Sequence, residues 1–336
     1  MSARPAPELS LHDLAAHLLA ARGMAHKTDI ADVVASLGIG HSAVAVGDDC
    51  AAIPDGDGFL LFAIEGFVND FVAAEPRFAG HCGVMVNLSD IAAMGGRPIA
   101  VVDALWSHGA DNAAPVLEGL RDAAALYGVP IVGGHTNTRS DHVQLAVAVL
   151  GRAKKLITSF DAQDGDVLIA AVDLRGGFRG QSLNWDASSG SPGKRLRDDL
   201  AILPALAEAG LLTAGKDISM AGLVGSAMML LESSGCGARI DVDAVPCPAG
   251  IALERFLTAF PSFGFVLTAK PGDAGAILEK FTSRGIACAV VGMVDATRKT
   301  RLWRDGAEAE IWDFDRAFIG CARAPAATKG SRPLHA

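Results

Sequence analysis

The sequence predicts an α/β protein built as α+β layers in two domains, and three observations carry that prediction. Its 336 residues suffice for two cores of ordinary size. Short apolar runs of strand character alternate with segments of helical period in both halves. Both patterns lapse after Gly151, where RAKKLITSFDAQDGD collects turn residues before a new apolar run. The organisation expected is an N-terminal helical segment (1–40), a first domain (41–155), a second domain (156–320) and a disordered tail (321–336).

Ser10 is a suitable N-cap for a helix over 11–22, where leucine and alanine recur at helical spacing. FLLFAIEGF (59–67), IAVVDALW (99–106), VPIVGG (129–134) and HVQLAVAVLG (142–151) read as strands. Helices are expected at about 78–94 and 112–127, stopped by Gly95-Gly96-Arg97-Pro98 and by Gly128. The second half predicts strands at 167–174, 238–242, 263–269 and 286–294, with helices at 221–234 and 273–284.

The net charge is −9, from 29 basic and 38 acidic residues, and no Lys/Arg-rich run occurs. Such a balance provides no field for nucleic acid or an anionic membrane, so a small-molecule substrate is the expected partner. The six cysteines show no C-x-x-C spacing, which argues against a zinc ribbon or a disulfide framework and fits a reducing, cytoplasmic setting. Neither a signal peptide nor a membrane span is expected.

Several acids stand out. Asp48 and Asp49 follow Gly47 between the apolar runs SAVAV and CAAI, which places them where a strand enters a loop. Neighbouring strand residues face opposite ways, so at most one of the two would face a site, and alone the pair reads as a solvated turn. Asp90 lies inside the apolar helical segment CGVMVNLSDIAAMGG, with Asn87 three residues earlier on the same face. A carboxylate buried there is costly unless it is met by a metal ion, by a partner such as Arg97 or by a backbone cap. Glu65 closes a strand before Gly66, and edge glutamates are common. Gly133-Gly134-His135-Thr136 ends another strand, where a Gly-Gly turn is ordinary loop chemistry or a donor of N–H groups to phosphate. Asp217 opens the segment DISMAGLVGSAMMLLESSG and by itself reads as a helix N-cap.

In order and spacing GDDCAAI (47–53), AIEG (63–66), VNLSDIAAMGGRPIAVV (86–102), GGHTN (133–137), RAKKLITSFDAQDGDVLI (152–169) and DISMAGL (217–223) resemble one superfamily. It comprises aminoimidazole ribonucleotide (AIR) synthetase, thiamine-monophosphate kinase, selenophosphate synthetase and a hydrogenase maturation dehydratase. The resemblance covers roughly residues 40–300. It implies an AIR synthase-like fold in which the N-terminal domain forms a β-barrel across a homodimer, with a C-terminal α/β domain contributing to an ATP site. It implies Mg²⁺ ligation by Asp49, Glu65, Asp90 and Asp217, with Glu65 standing where the family has an Asp. Nucleotide contacts would come from Asp48, Asn87, Gly133, Gly134, His135 and Thr136. No catalytic general base is identified.

Departures from the pattern bear on the substrate. Thiamine-monophosphate kinases carry G-G-D-T where this chain has Gly133 to Thr136, S-D-G where it has Ser219-Met220-Ala221, and G-E-D-Y-E near Pro261 to Phe265. GGHT is closer to selenophosphate synthetase, but the first cysteine here is Cys50, and His26-Lys27 reads as a solvated pair, with a basic group near the phosphates as the alternative. The expected function is ATP-dependent phosphorylation or activation of a small molecule. The alternatives are thiamine-monophosphate kinase and a non-catalytic nucleotide-binding regulator.

Overall fold

The computed structural model describes residues 9–37 and 44–321; the expected tail lies outside them except for Cys321. Helix α1 (Leu11–Ala20) starts behind Ser10, whose hydroxyl accepts a hydrogen bond from the Asp13 amide at 3.2 Å. The single helix expected over 11–22 breaks at Ala21, whose extended backbone (ψ 134°) redirects the chain into α2 (Arg22–Lys27). Helix α3 (Ile30–Leu37) follows.

The first sheet is assembled from β1 (Ala51–Asp55), β2 (Gly58–Gly66), β3 (Arg97–His108), β4 (Ile131–Asn137) and β5 (Arg139–Ala153), in the order β1-β2-β5-β3-β4. All pairings are antiparallel except β3 with β4, which the crossover helix α6 (Ala110–Tyr127) joins in parallel. Between β2 and β3 run α4 (Asn69–Ala74) and α5 (Pro76–Ala93). Alternate residues Leu61, Ala63, Val101, Leu105, Leu145, Val147 and Val149 are buried under these helices. The opposite face is solvent-exposed at Phe62, Ile64 and Val102, and the sheet is open within the single chain, with β1 and β4 as its edges.

The second half contains β6 (Val167–Val172), β7 (Gly177–Phe178), β8 (Asn184–Asp186), α7 (Gly193–Leu200), α8 (Ile202–Ala209), β9 (Ala214–Asp217), α9 (Gly222–Ser234) and β10 (Gly237–Asp241). It continues through α10 (Leu253–Leu257), β11 (Phe260–Pro261), β12 (Gly264–Ala269), α11 (Ala274–Thr282), β13 (Ala287–Asp295), β14 (Lys299–Arg304) and β15 (Ala307–Asp313). Seven strands form one sheet, β15-β14-β10-β13-β6-β12-β9, and β11-β8-β7 form a small one. VLIAAV of β6 is wholly buried because both faces are covered. Leu168, Ala170 and Val172 pack in a core shared with α1 and α9, while Val167, Ile169 and Ala171 face a core shared with α8 and α11. An unbroken apolar run is what a strand buried on both sides requires.

Two expectations near the acids are corrected. Residues 44–50 form a bent segment, and the strand begins only at Ala51, so the described end of SAVAV (44–46) does not lead a strand into Asp48 and Asp49. Asp217 ends β9 and is no helix cap, since α9 begins at Gly222. A backbone turn over Ser219 to Gly222 separates them.

Helix α5 is buried along almost its whole length, against the first sheet, α6 and the second half. Its approach to α6 is set by glycine. A Cβ on Gly80 would lie 2.1 Å from the Val116 carbonyl oxygen, and one on Gly119 1.9 Å from that of Arg77. Backbone meets backbone there, so an added methyl forces the helices apart. Gly119→Ala should destabilise the fold by about 1–3 kcal/mol, the usual cost of overpacking. Urea unfolding would show this as a lower midpoint with an unchanged slope.

Candidate metal and nucleotide site

Three elements distant in sequence bring their carboxylates to one place. Asp49 comes from the bent segment before β1, Asp90 from the last turn of α5 and Asp217 from the end of β9. One oxygen from each lies within 4.8 Å of the other two. They line a cleft of about 540 Å³ together with Asp48, Glu65, Asp70, Lys27 and Lys216.

Local folding explains how each arrives. Gly47 (φ 120°) carries the bent segment past Cys321, where a Cβ would come within 2.3 Å of the cysteine Cβ. Asp48 then anchors the segment, accepting the Ser159 amide at 2.9 Å and the Ser159 hydroxyl at 2.7 Å. Asp49 turns the other way. One of its oxygens accepts from Lys216 Nζ, and the other from the Asp217 amide at 3.2 Å. Both adjacent acids are therefore turned inward, which the bent backbone permits and a strand would not.

Asp90 is the decisive residue. It is 6% exposed, and its Oδ2 is buried without any hydrogen-bond partner among the described residues. Asn87, on the same helix, sends its Nδ2 back to the Gly83 carbonyl at 2.8 Å and does not line the cleft. Arg97 is engaged with Glu208 on the surface and offers Asp90 no counter-charge. A buried oxygen in want of a partner, beside two more carboxylates, fits a hard divalent cation such as Mg²⁺.

The electrostatics agree. Burial, followed by the charges of Asp217, Glu65 and Asp49, pushes the Asp90 carboxyl well above the usual carboxylate range. Asp217 is pushed up to about 7, by burial first and then by Asp49, against the pull of Lys216 and Lys27. Burial also raises Asp48 to about 6, and Lys216 opposes that rise. Glu65 is exposed on the cleft wall, where partial loss of hydration raises its carboxyl and Lys27 opposes the shift. It stands beside the three clustered oxygens and is not one of them.

Gly133, Gly134, His135 and Thr136 are not brought to this cleft. They lie in β4, exposed along the sheet edge, with His135 against Trp106 at 6.0 Å between ring centroids. Lys216 was not foreseen. Its only signal is a lysine next to Asp217, and the structure shows it buried in the strand AGKD, where a lysine must be paired. Of the pair read as solvated or as a basic group near the phosphates, Lys27 is half-buried in the cleft wall and His26 is exposed.

The folded chain keeps protons on Asp48, Asp90 and Asp217 at pH values where the unfolded chain, with carboxyls near 3.8, has released them. The destabilisation this causes is absent below about pH 4 and grows as pH rises, levelling off above about 6 for Asp48 and about 7 for Asp217 while that from Asp90 goes on growing through its own raised range. Asp90→Asn should therefore stabilise the cation-free protein at pH 8 by about 1–3 kcal/mol, by removing a group that ionises freely in the unfolded chain and at a cost in its buried folded setting. The gain should vanish toward pH 4. Denaturant midpoints in chelator-treated buffer at the two pH values test this, and a loss of stability at pH 8 would contradict it.

The family described as AIR synthase related protein, N-terminal domain, matches residues 47–153, and its C-terminal counterpart matches residues 163–305. The uncharacterized protein sll0787 of Synechocystis sp. is 45% identical over 91% of this chain and 97% of its own length. Protein MJ0640 of Methanocaldococcus jannaschii is 36% identical over 73% of this chain and 76% of its own. Phosphoribosylformylglycinamidine synthase subunit PurL of a Synechococcus strain is 28% identical over 78% of this chain, which spans 38% of that subunit. Among solved structures, PurL of T. maritima complexed with ATP superposes with a TM-score of 0.67 at 22% identity, covering 86% of this chain and 50% of that one. AaThiL complexed with AMPPCP and TMP superposes at 0.61 and 17% identity, covering 83% and 94%. The chain spans about half of the PurL structure, and at these identities the superpositions establish shared fold alone. With both domain profiles matched and a relative 45% identical along nearly its entire length, the chain belongs to the AIR synthase related family.

Proposed function

We propose that this protein is a Mg²⁺-dependent, ATP-binding enzyme that phosphorylates a small-molecule acceptor or activates it by phosphorylation. The observation that carries the reading is the convergence of Asp49, Asp90 and Asp217 on one side of a large cleft, with a buried Asp90 oxygen lacking any partner. A divalent ion held by these three would neutralise charge on a polyphosphate as its terminal phosphoryl group departs. The chain's own part is to fix the three carboxylates from separate elements and to wall the cleft with Phe67, Phe71, Met220 and Phe260. Positioning and charge neutralisation then carry the rate, with no general base required. Family members solved with ATP and AMPPCP support a nucleotide in this fold.

The proposal extends to the assembly. Ile53, Phe62, Ile64, Ile99, Val102 and Val132 leave apolar side chains of the first domain (41–155) in solvent. Ile64, Ala148 and Val102 line up across β2, β5 and β3, as do Phe62, Leu150 and Ala100. Rows of this kind suit a second copy, with closure of the open sheet into a barrel across a homodimer. Gly133 to Thr136, on the edge strand, would then lie toward the seam, and nucleotide contacts from them are proposed in that setting. The second domain (156–320) supplies Asp217 and Lys216. No helix of the described residues is long and apolar enough to cross a membrane, and a cytoplasmic enzyme is the setting we propose.

Thiamine-monophosphate kinase is the narrower alternative, which the ThiL likeness keeps open as a matter of fold. The positions where those kinases carry acids hold Met220 at the cleft and Phe263 and Phe265 in the core of the second half.

Two measurements test the reading. Mg²⁺ with ATP at ~100 times its dissociation constant should stabilise the wild type by about 2.7 kcal/mol, seen as a raised Tm. Asp90→Asn and Asp217→Asn should abolish the shift, and it should be larger at pH 8 than at pH 6, because cation binding must displace protons held by Asp90 and Asp217. Release of ADP across a panel of phosphate, amide and thiamine-monophosphate acceptors identifies the reaction. Tight Mg²⁺-dependent ATP binding with no turnover on any acceptor would make the chain a non-catalytic nucleotide-binding protein instead.

A further inference from the structure

The segment that carries Asp48 and Asp49 belongs to no helix or strand, so no backbone ladder fixes it and its position depends on what grips it. Two pieces of chain do so. One is residues 318–321, a strap whose last residue packs on the segment: a Cβ on Gly47 would meet the Cys321 Cβ at 2.3 Å and its sulfur at 3.0 Å. The other is Ser159, with its amide and hydroxyl on Asp48.

Both pieces are tied to a single helical turn. Glu232, Ser233 and Ser234 end α9, and consecutive helical residues point about 100° apart, so one turn reaches in several directions. Glu232, buried, accepts the Phe318 and Ile319 amides at 2.7 Å each and the Gly320 amide at 3.4 Å. Bonds of this kind to a carboxylate are charge-assisted and about twice as strong as neutral ones. Ser233 donates its hydroxyl to the Cys321 carbonyl at 3.0 Å. Ser234 donates to the Ser159 carbonyl at 2.8 Å and accepts the Ala162 amide at 3.1 Å. The strap also meets α3 at Gly320, where φ is 70° and a Cβ would lie 2.7 Å from that of Ala31, and it reaches the cleft wall at Ile319.

We infer that Glu232 and Ser234 are positioning residues of the metal site, acting on Asp49 through the strap and through Ser159. This rests on the reading of Asp49, Asp90 and Asp217 as a Mg²⁺ site. Asp90 and Asp217 stand on a helix and a strand whose own hydrogen bonds hold them, whereas Asp49 is held in place from the last turn of α9. The strap lies beyond both matched family regions, the second of which ends at residue 305.

Calorimetric titration of the full chain with Mg²⁺ alone tests this. Glu232→Gln keeps one accepting oxygen and turns a donor toward the amide that faced the other. It should weaken Mg²⁺ binding about tenfold, the low end of what loss of support behind a metal ligand costs. Ser234→Ala, which leaves the strap bonds in place, should weaken it by a smaller factor. Phe281→Leu, in the core on the opposite face of the seven-stranded sheet, should lower Tm and keep wild-type Mg²⁺ affinity. With Asp49→Asn already in place, Glu232→Gln should cost less than about twofold, because the ligand it positions is gone. An undiminished loss in that background, or a comparable loss in Phe281→Leu, assigns Glu232 a general structural role and overturns the inference. Wild-type affinity in both Glu232→Gln and Ser234→Ala also overturns it and leaves the Mg²⁺ reading intact. A wild type that takes up no Mg²⁺ overturns both.

Discussion

Carboxylates cannot be buried together and ionised without opposite charge, and that constraint organises the centre of this molecule. Asp90 sits at the inner end of a helix enclosed on all sides, and Asp49 and Asp217 come to it from two other elements. Lys216 supplies one positive charge from within the protein, through Asp49. Three carboxylates and one ammonium leave a deficit of two charges, which a single divalent cation would close. The charge of these four groups therefore supports the proposed metal reading.

The scaffold serves that arrangement. Glycines at the crossing of α5 and α6 let the two helices approach to backbone contact, which fixes where the last turn of α5 ends and so where Asp90 points. Ser159, just beyond the first sheet, receives Asp48 and holds the bent segment so that Asp49 faces the opposite way. Strand β9 is an edge of the seven-stranded sheet, paired only with β12, and an edge is where a strand can end in a polar site without interrupting a ladder. Helix, bent segment and strand belong to different parts of the chain, so cation binding would tie those parts together.

Much of this was legible from the sequence, for identifiable reasons. Strands buried on two faces announce themselves as apolar runs, as VLIAAV does, and α5 and α6 end at the expected glycines. Breaks in local pattern were harder to place. Ala21 divides one periodic segment into two helices because its extended backbone costs little and lets α2 settle on the second half. The hairpin of β14 and β15 was missed, although Asp305-Gly306, with φ of 47° and 84°, is the Asp-Gly turn that matches strand twist. At the site, sequence picked out the acids but not their geometry. Alternation was applied to Asp48 and Asp49 as though they lay in a strand, whereas a bent backbone can turn adjacent side chains into the same interior.

Lysines were the least legible part, and the reason is physical. An acid inside an apolar helix signals itself because burial of its charge is costly and local sequence shows no remedy. A lysine signals nothing comparable, since its long stem lets the ammonium travel away from its own backbone position. Lys216 follows that rule: its neighbour Asp217 points to the opposite face of the strand, yet the ammonium reaches Asp49 from a segment 167 residues away in sequence. Lys27 follows it as well, lying beside the exposed His26 and still reaching the cleft wall. Acids in such a site are fixed by short stems on rigid elements, while its internal cations arrive on long ones. The positive half of a charge-balanced site is therefore the half that only three-dimensional structure reveals.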